Sequence, residues 1–232
     1  PVSTWGKSFA IARSEPRRNV PDRLRILAKN DNTTLTFSPA PSGSCPVLAA
    51  GQHCDVNISQ HTALTSSEPI LVGHLLLSAI NTTTGEGDGD PSLALAVPTE
   101  QFRGSYTFLA PSQYERQFVS IVASTGTTVT LDGAAVAGFT SFGTNMSAVR
   151  VPIGAGSHTV TCGDGCGIEV YGFSDAVSYM FAGGLDLKKI VLRTDMRGTP
   201  GVVTGLESVQ TDHPDYPLGD TAHITGTGYP SS

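Results

Sequence analysis

The chain has 232 residues, with 14 Lys and Arg against 20 Asp and Glu for a net charge of −6. An acidic balance with no basic cluster beyond Arg17-Arg18 and Lys188-Lys189 speaks against nucleic-acid binding, and no apolar run approaches the length of a membrane helix. At 39% hydrophobic and 15% charged residues, with 26 Gly and 15 Pro, the composition excludes disorder and fits an all-β protein with many turns.

The first strand is expected around Phe9-Ala10-Ile11, followed by a basic, Pro-flanked loop to Pro21. Residues 24–29 and 33–37 alternate as strands, and Asn30-Asp31-Asn32 between them reads as a hairpin turn. Ser38 to Gly51 is a Pro/Gly/Ser loop, and Val56 and Ile58 mark the next strand. The run from Ile70 to Ile80 is almost wholly apolar, which predicts a central strand covered on both faces. Residues 81–92 form the most polar, Gly-rich segment and read as an exposed loop. Strands follow at 93–97 and 106–109, each stopped by a proline. Residues 118–124 and 127–132 read as a second hairpin, closed by the Asp132-Gly133 turn. Further strands are predicted at 149–153, 158–162 and 168–173, with 179–187 as a closing strand. Beyond Leu192 the chain turns Pro-, Gly- and Asp-rich, with strand-like runs at 202–209 and 222–226.

A weak internal copy organises these elements. Ile26-Leu27-Ala28 and Thr33-Thr34-Leu35-Thr36-Phe37 return as Ile121-Val122-Ala123 and Thr127-Thr128-Val129-Thr130-Leu131, offset by 95 and then 94 residues. Ala50-Gly51-Gln52-His53 matches Ala155-Gly156-Ser157-His158, and Ile70-Leu71-Val72-Gly73 matches Ile168-Glu169-Val170-Tyr171. A period of this length is a small β-sandwich, not a solenoid repeat. The expected fold is therefore two sandwich-like lobes from an internal duplication, residues 1–110 and 111–192. A tail at 193–232, too short for a core, would be a partial Ig-like segment or a strand donated to a sheet edge.

Four cysteines fall in two close pairs, Cys45/Cys54 and Cys162/Cys166, whose spacing does not suit a zinc ribbon. Two local disulfides are expected, the alternative being free thiols in a cytosolic protein, and disulfides imply export. The absence of a signal peptide leads us to expect that the numbering starts at a mature N-terminus. Sequons occur at Asn32, Asn57, Asn81 and Asn145.

No histidine shows zinc-protease spacing, and no nucleophile elbow occurs, so no catalytic residue is assigned. His53 and His158, matched in the copy, are read as structural. Glu86, Asp88 and Asp90 alternate with glycines and offer oxygens that suit Ca²⁺, against a solvated acidic turn as the plain alternative. Glu100, Gln101, Arg103, Tyr106 and Tyr114 form a candidate ligand patch. The competing expectation is a hydrogen-bonded lobe junction in which Glu100 pairs with Arg103. Trp5, the one tryptophan, reads as a packing anchor.

The block from Gly89-Asp90-Pro91-Ser92 through Val97-Pro98-Thr99-Glu100-Gln101-Phe102-Arg103 leads into Tyr106-Thr107-Phe108-Leu109-Ala110-Pro111 and Tyr114. Ile121-Val122-Ala123, Leu131-Asp132-Gly133, Gly156-Ser157-His158, Gly167 to Phe173 and Ser178-Tyr179 follow in order. Together, across residues 5–190, this resembles the N-terminal domain of IgG Fc-binding proteins. The resemblance implies an extracellular, non-enzymatic β-module of large surface or secreted proteins, with adhesion or matrix roles. Its partner would be a protein or glycan ligand on a surface, or further copies of itself. A self-assembling fibre subunit and a carbohydrate-binding module are the alternatives.

Overall fold

The computed structural model describes residues 2–79 and 87–187, together with the backbone of two short strands at 208–211 and 224–227. The chain divides into two compact units, Pro1–Ile190 and Val191–Ser232. The first is all-β and holds two lobes.

The first lobe contains β1 (Gly6–Ile11), β2 (Asp22–Ala28), β3 (Leu35–Ser38), β4 (His53–Ile58), β5 (Thr62–Leu76) and β6 (Ser92–Leu95). One 15-residue strand, β5, organises it. The N-terminal part of β5 lies between β1 and β3, and its C-terminal part pairs with β2 and β6, β4 adding outside β2. Between these parts β5 bulges: the step from Thr65 to Ile70 faces only the step from Ser8 to Gly6 on β1. A bulge bends its strand, so the two parts of β5 belong to two layers of a sandwich. Leu24, Ile26, Val56, Leu64, Ile70 and Val72 fill the space between.

The second lobe contains β7 (Arg103–Ala110), β8 (Arg116–Ser124), β9 (Val129–Leu131), β10 (Ala134–Ala135), β11 (Thr140–Phe142), β12 (Met146–Ile153), β13 (Gly156–Ser174) and β14 (Val177–Ala182). It repeats the same plan. β13, with 19 residues, runs between β7 and β9, then bulges and pairs with β8 and β14, while β12 adds outside β8. The bulge itself is repeated: Thr161 to Cys166 faces Ser105 to Arg103 on β7. Strands β1 to β6 thus correspond to β7, β8, β9, β12, β13 and β14, and β10 and β11 are additions to the second lobe. The sequence echo at 26–37 and 121–131 is this duplication. Ile26 faces Val72 where Ile121 faces Ile168, and Leu35 faces Ser66 where Val129 faces Cys162.

Several boundaries differ from the sequence reading. The Asn30-Asp31-Asn32 turn and its counterpart after Ser124 do not close hairpins. β2 and β3 pair with different parts of β5, and β8 and β9 with different parts of β13, so each turn crosses from one layer to the other. The central strand begins at Thr62 and ends at Leu76, and the runs 158–162 and 168–173 are one bulged strand. Residues 103–110, assigned by sequence to the first lobe, are the opening strand of the second. His53 and His158 are not equivalent: His53 opens β4, whereas His158 lies in β13. Residues 81–86 of the predicted loop at 81–92 fall outside the described residues, and Ser92 already opens β6.

In the second unit β15 (Ser208–Thr211) and β16 (Ile224–Thr227) pair with each other antiparallel. The Ig-like or strand-donating character of the tail otherwise lies outside the described residues.

Candidate functional site

In β8 and β13 side chains alternate between two buried faces, as strand geometry dictates. Val119, Ile121, Ala123, Ile168 and Val170 point into the core of the second lobe. The other face meets the first lobe. Phe118, Tyr171, Phe173 and Met180 pack with Leu76 and Ala94, and Val122 and Ala148 pack with Ala10 and Ala12. Between these apolar contacts lies the most polar interior of the molecule.

His74 of β5 is at its centre and is fully buried. Its Nε2 lies 3.0 Å from Asp22 Oδ2 and its Nδ1 lies 2.8 Å from Glu169 Oε2. Both ring nitrogens face carboxylates, and only the imidazolium can donate from both. Asp22, also fully buried, accepts from Ser14 Oγ at 2.6 Å, from the Ser14 amide at 2.7 Å and from Arg13 Nη1. Arg150 of β12 reaches across the lobes, donating through Nη1 to the Arg13 and Ser14 carbonyls at 3.1 and 2.9 Å. Its Nε stands 3.4 Å from Glu15 Oε2. The Glu15 amide donates to Tyr171 Oη at 3.1 Å. Farther along, Arg17 donates to the Asp88 and Leu77 carbonyls and lies 4.3 Å over the Phe173 ring.

Three cations, Arg13, His74 and Arg150, meet three anions, Glu15, Asp22 and Glu169, and these six charges cancel. Burial alone would depress the His74 pKa, but Glu169 and Asp22 outweigh it and raise the value to about 10. Burial would likewise raise Asp22, but His74, Arg13 and Ser14 hold it at about 2. Burial pushes the Tyr171 phenol up. Glu169 Oε1 has no hydrogen-bond partner among the described residues, and Glu169 and Ser120 line a cavity of about 20 Å³, the size of one water molecule. The arrangement resembles an acid–base relay in its residue types. His74 and Asp22 are sealed from solvent, whereas proton transfer to a substrate needs approach to ~3 Å.

Residues 1–172 match the family described as IgGFc binding protein. The chain belongs to that family. Among curated proteins and among solved structures, none matches it. No helix among the described residues is long and apolar enough to cross a membrane.

In this IgGFc-binding family member both predicted disulfides form. Cys45–Cys54 fastens the Pro/Gly/Ser loop to β4, and Cys162–Cys166 closes the bulge of β13. At the matching bulge of the first lobe, Lys7 bonds the Ser67 carbonyl and pairs with Glu68 at 3.8 Å. His158 ties a turn, bonding Asp132 Oδ2 at 2.7 Å and the Gly154 carbonyl at 2.9 Å.

Of the three candidate calcium ligands, two lie among the described residues. Glu86 lies outside the described residues, Asp88 pairs with Arg116, and Asp90 accepts from Ser78 Oγ at 3.4 Å. No group of three or more His, Cys, Asp or Glu side chains placed for a metal ion occurs among the described residues.

The five patch residues do not form one surface. Gln101 is fully buried, and its carbonyl accepts from the Asp186 amide. The buried Tyr106 hydroxyl bonds the Cys166 carbonyl and receives the Arg103 amide at 2.9 Å. Glu100 takes the Lys7 amide at 3.2 Å, and no Glu100–Arg103 ion pair forms among the described residues. Tyr114 lies elsewhere, edge-on to Tyr179 with ring centroids 4.6 Å apart, and the Tyr179 hydroxyl donates to Gln117 Oε1 at 2.7 Å. Trp5 lines an apolar groove with Leu71, Leu95, Pro98 and Leu187.

Sequence reasoning missed Asp22, His74 and Glu169. A signal was present for two of them, since His74 and Glu169 each interrupt an apolar run, in Ile70 to Leu76 and Ile168-Glu169-Val170, whereas Asp22 opens a strand that also carries Arg23 and Arg25.

Proposed function

We propose that this chain is a non-enzymatic extracellular module that holds a macromolecular ligand at a surface, in adhesion or in a mucus- or matrix-type assembly. The observation that carries the reading is where the ionisable groups go. His74 and Asp22, both strongly shifted, face each other inside the lobe junction and not a cleft. A catalyst places its shifted groups where substrate can reach them. Here they stiffen the joint between two lobes, and each lobe also carries a disulfide. Stiffness with no reaction centre suits a part that bears load or presents a binding face. Membership of a family described as IgG Fc binding, and the oxidised cysteines, support an extracellular protein ligand.

The test is retention. Beads coated with the whole chain are flowed over surfaces carrying immobilised mucin, immobilised immunoglobulin or albumin. Retention on mucin or immunoglobulin that exceeds albumin supports the proposal, and equal retention on all three sinks it. Strand addition between copies is the rival reading, and light scattering during size-exclusion chromatography of the full chain and a 1–192 truncation reads it directly. Concentration-dependent oligomers of the full chain alone would replace the ligand-binding module with a self-assembling one.

A further inference from the structure

One cleft opens onto the buried junction. It lies where the turn between β4 and β5 meets β11 and β12, is lined by Glu15, His61, Phe118, Thr140, Arg150 and Pro152, and has a volume of about 290 Å³. The polar groups at its wall are fixed in advance. His61 Nδ1 accepts the Arg13 amide at 3.0 Å, so its proton resides on Nε2 and the ring is neutral. Arg150 is anchored through Nη1 on two carbonyls, which leaves Nη2 as a donor. Glu15, 3.4 Å from Arg150 Nε, offers carboxylate oxygens and cancels the guanidinium charge. The exposed Thr140 hydroxyl both donates and accepts.

We propose that this cleft is a subsite for a single neutral sugar ring, bound through adjacent hydroxyls. A pair of adjacent hydroxyls needs donors and acceptors side by side, which Arg150, His61, Glu15 and Thr140 supply. A carboxylate or phosphate needs net positive charge, which Glu15 removes. The exposed Pro152 gives the apolar surface that the C–H face of a sugar covers, over the edge of the buried Phe118. A cavity at the small end of ligand sites, where drug-sized pockets run ~300–1,000 Å³, suits one ring. Because the protein groups are already held by Arg13 and Ser14, binding orders few of them anew, and this lowers its entropic cost.

The subsite rests on the reading of the chain as a ligand-holding module, and its test separates the two. The isotopically labelled chain is titrated by NMR with methyl glycosides of glucose, galactose, mannose and N-acetylglucosamine, and separately with glucuronate. At least one neutral glycoside is expected to shift the His61, Arg150 and Thr140 signals saturably. Arg150→Lys, which keeps the charge but loses the fork, and Thr140→Val at the rim are each expected to weaken that binding about tenfold, the loss of one good hydrogen bond. Four silent neutral glycosides, a response to glucuronate alone, or shifts unchanged in both variants would overturn the proposal. If the beads still bind mucin or immunoglobulin while the cleft stays silent, the subsite fails and the module reading stands. If the cleft responds while the beads show no preference, the converse holds.

Discussion

At the scale of single residues, His74 is the most consequential side chain. Its charge is held between two carboxylates and is sealed from solvent. Removing one partner of a buried charge cluster strands the others, at a cost of about 3–5 kcal/mol. His74→Leu is therefore expected to lower the unfolding free energy by about that amount, read from urea midpoints. His74→Leu combined with Glu169→Leu, which also removes the stranded carboxylate, is expected to recover part of it. The pH dependence follows from the same pair. The folded pKa of His74, about 10, lies above its ordinary 6.5. Its contribution is whole below pH 6.5 and is lost as pH rises toward 10. Asp22, at about 2 against an ordinary 3.8, contributes above pH 3.8 and loses that share as pH falls toward 2. Denaturant midpoints should thus be highest between about pH 4 and 6.5 and fall by pH 9, and His74→Leu should flatten the alkaline limb.

At the scale of elements, the two bulged strands decide the architecture, and the lobes secure their bulges differently. The second uses a disulfide across four positions and the first uses Lys7 with Ser67 and Glu68. On the chain-entropy account, replacing Cys162 and Cys166 by Ser costs about 2 kcal/mol, and replacing Cys45 and Cys54 costs about 3. Thermal scans of the two double variants should show the larger drop for the Cys45/Cys54 pair, and equal drops would argue that packing at the β13 bulge outweighs loop entropy. The turn after Leu76 has its own constraint. Gly89 has φ of +87°, and a Cβ there would stand 2.4 Å from Ser178 Oγ and 2.8 Å from Arg17 Nη1. Gly89→Ala is expected to cost about 2 kcal/mol through strain and through displacement of Arg17 from Phe173, and a melting temperature equal to that of the parent would contradict it.

At the scale of the whole molecule, the lobe junction is closed by buried apolar side chains as well as by the ion cluster. Leu76 and Ala94 of one lobe share a buried cluster with Phe118, Tyr171 and Phe173 of the other. Residues 1–190 are expected to unfold in one calorimetric transition, with van't Hoff and calorimetric enthalpies equal. Two resolved transitions would mean that the lobes fold alone and that the ion cluster is peripheral. Splitting the chain between β6 and β7 should leave both halves aggregation-prone, because Phe118, Tyr171 and Phe173 would lie open to water.

The sequence by itself determined the all-β class, the duplication, both disulfides and the family. These depend on local composition, short spacings and the order of motifs, which are legible along the chain. It did not single out His74 or Glu169, although each interrupts an apolar run. What it left undetermined was which strands meet. A turn such as Asn30-Asp31-Asn32 looks the same whether it closes a hairpin or crosses a sandwich, and only the bulges in β5 and β13 send the flanking strands to different layers. The same holds for the ion cluster. Asp22 and His74 are 52 positions apart and Glu169 lies 95 further on. Their pairing exists only because the outward face of β13 docks on the end of the first lobe, a contact decided by the burial of aromatic surface and not by any motif.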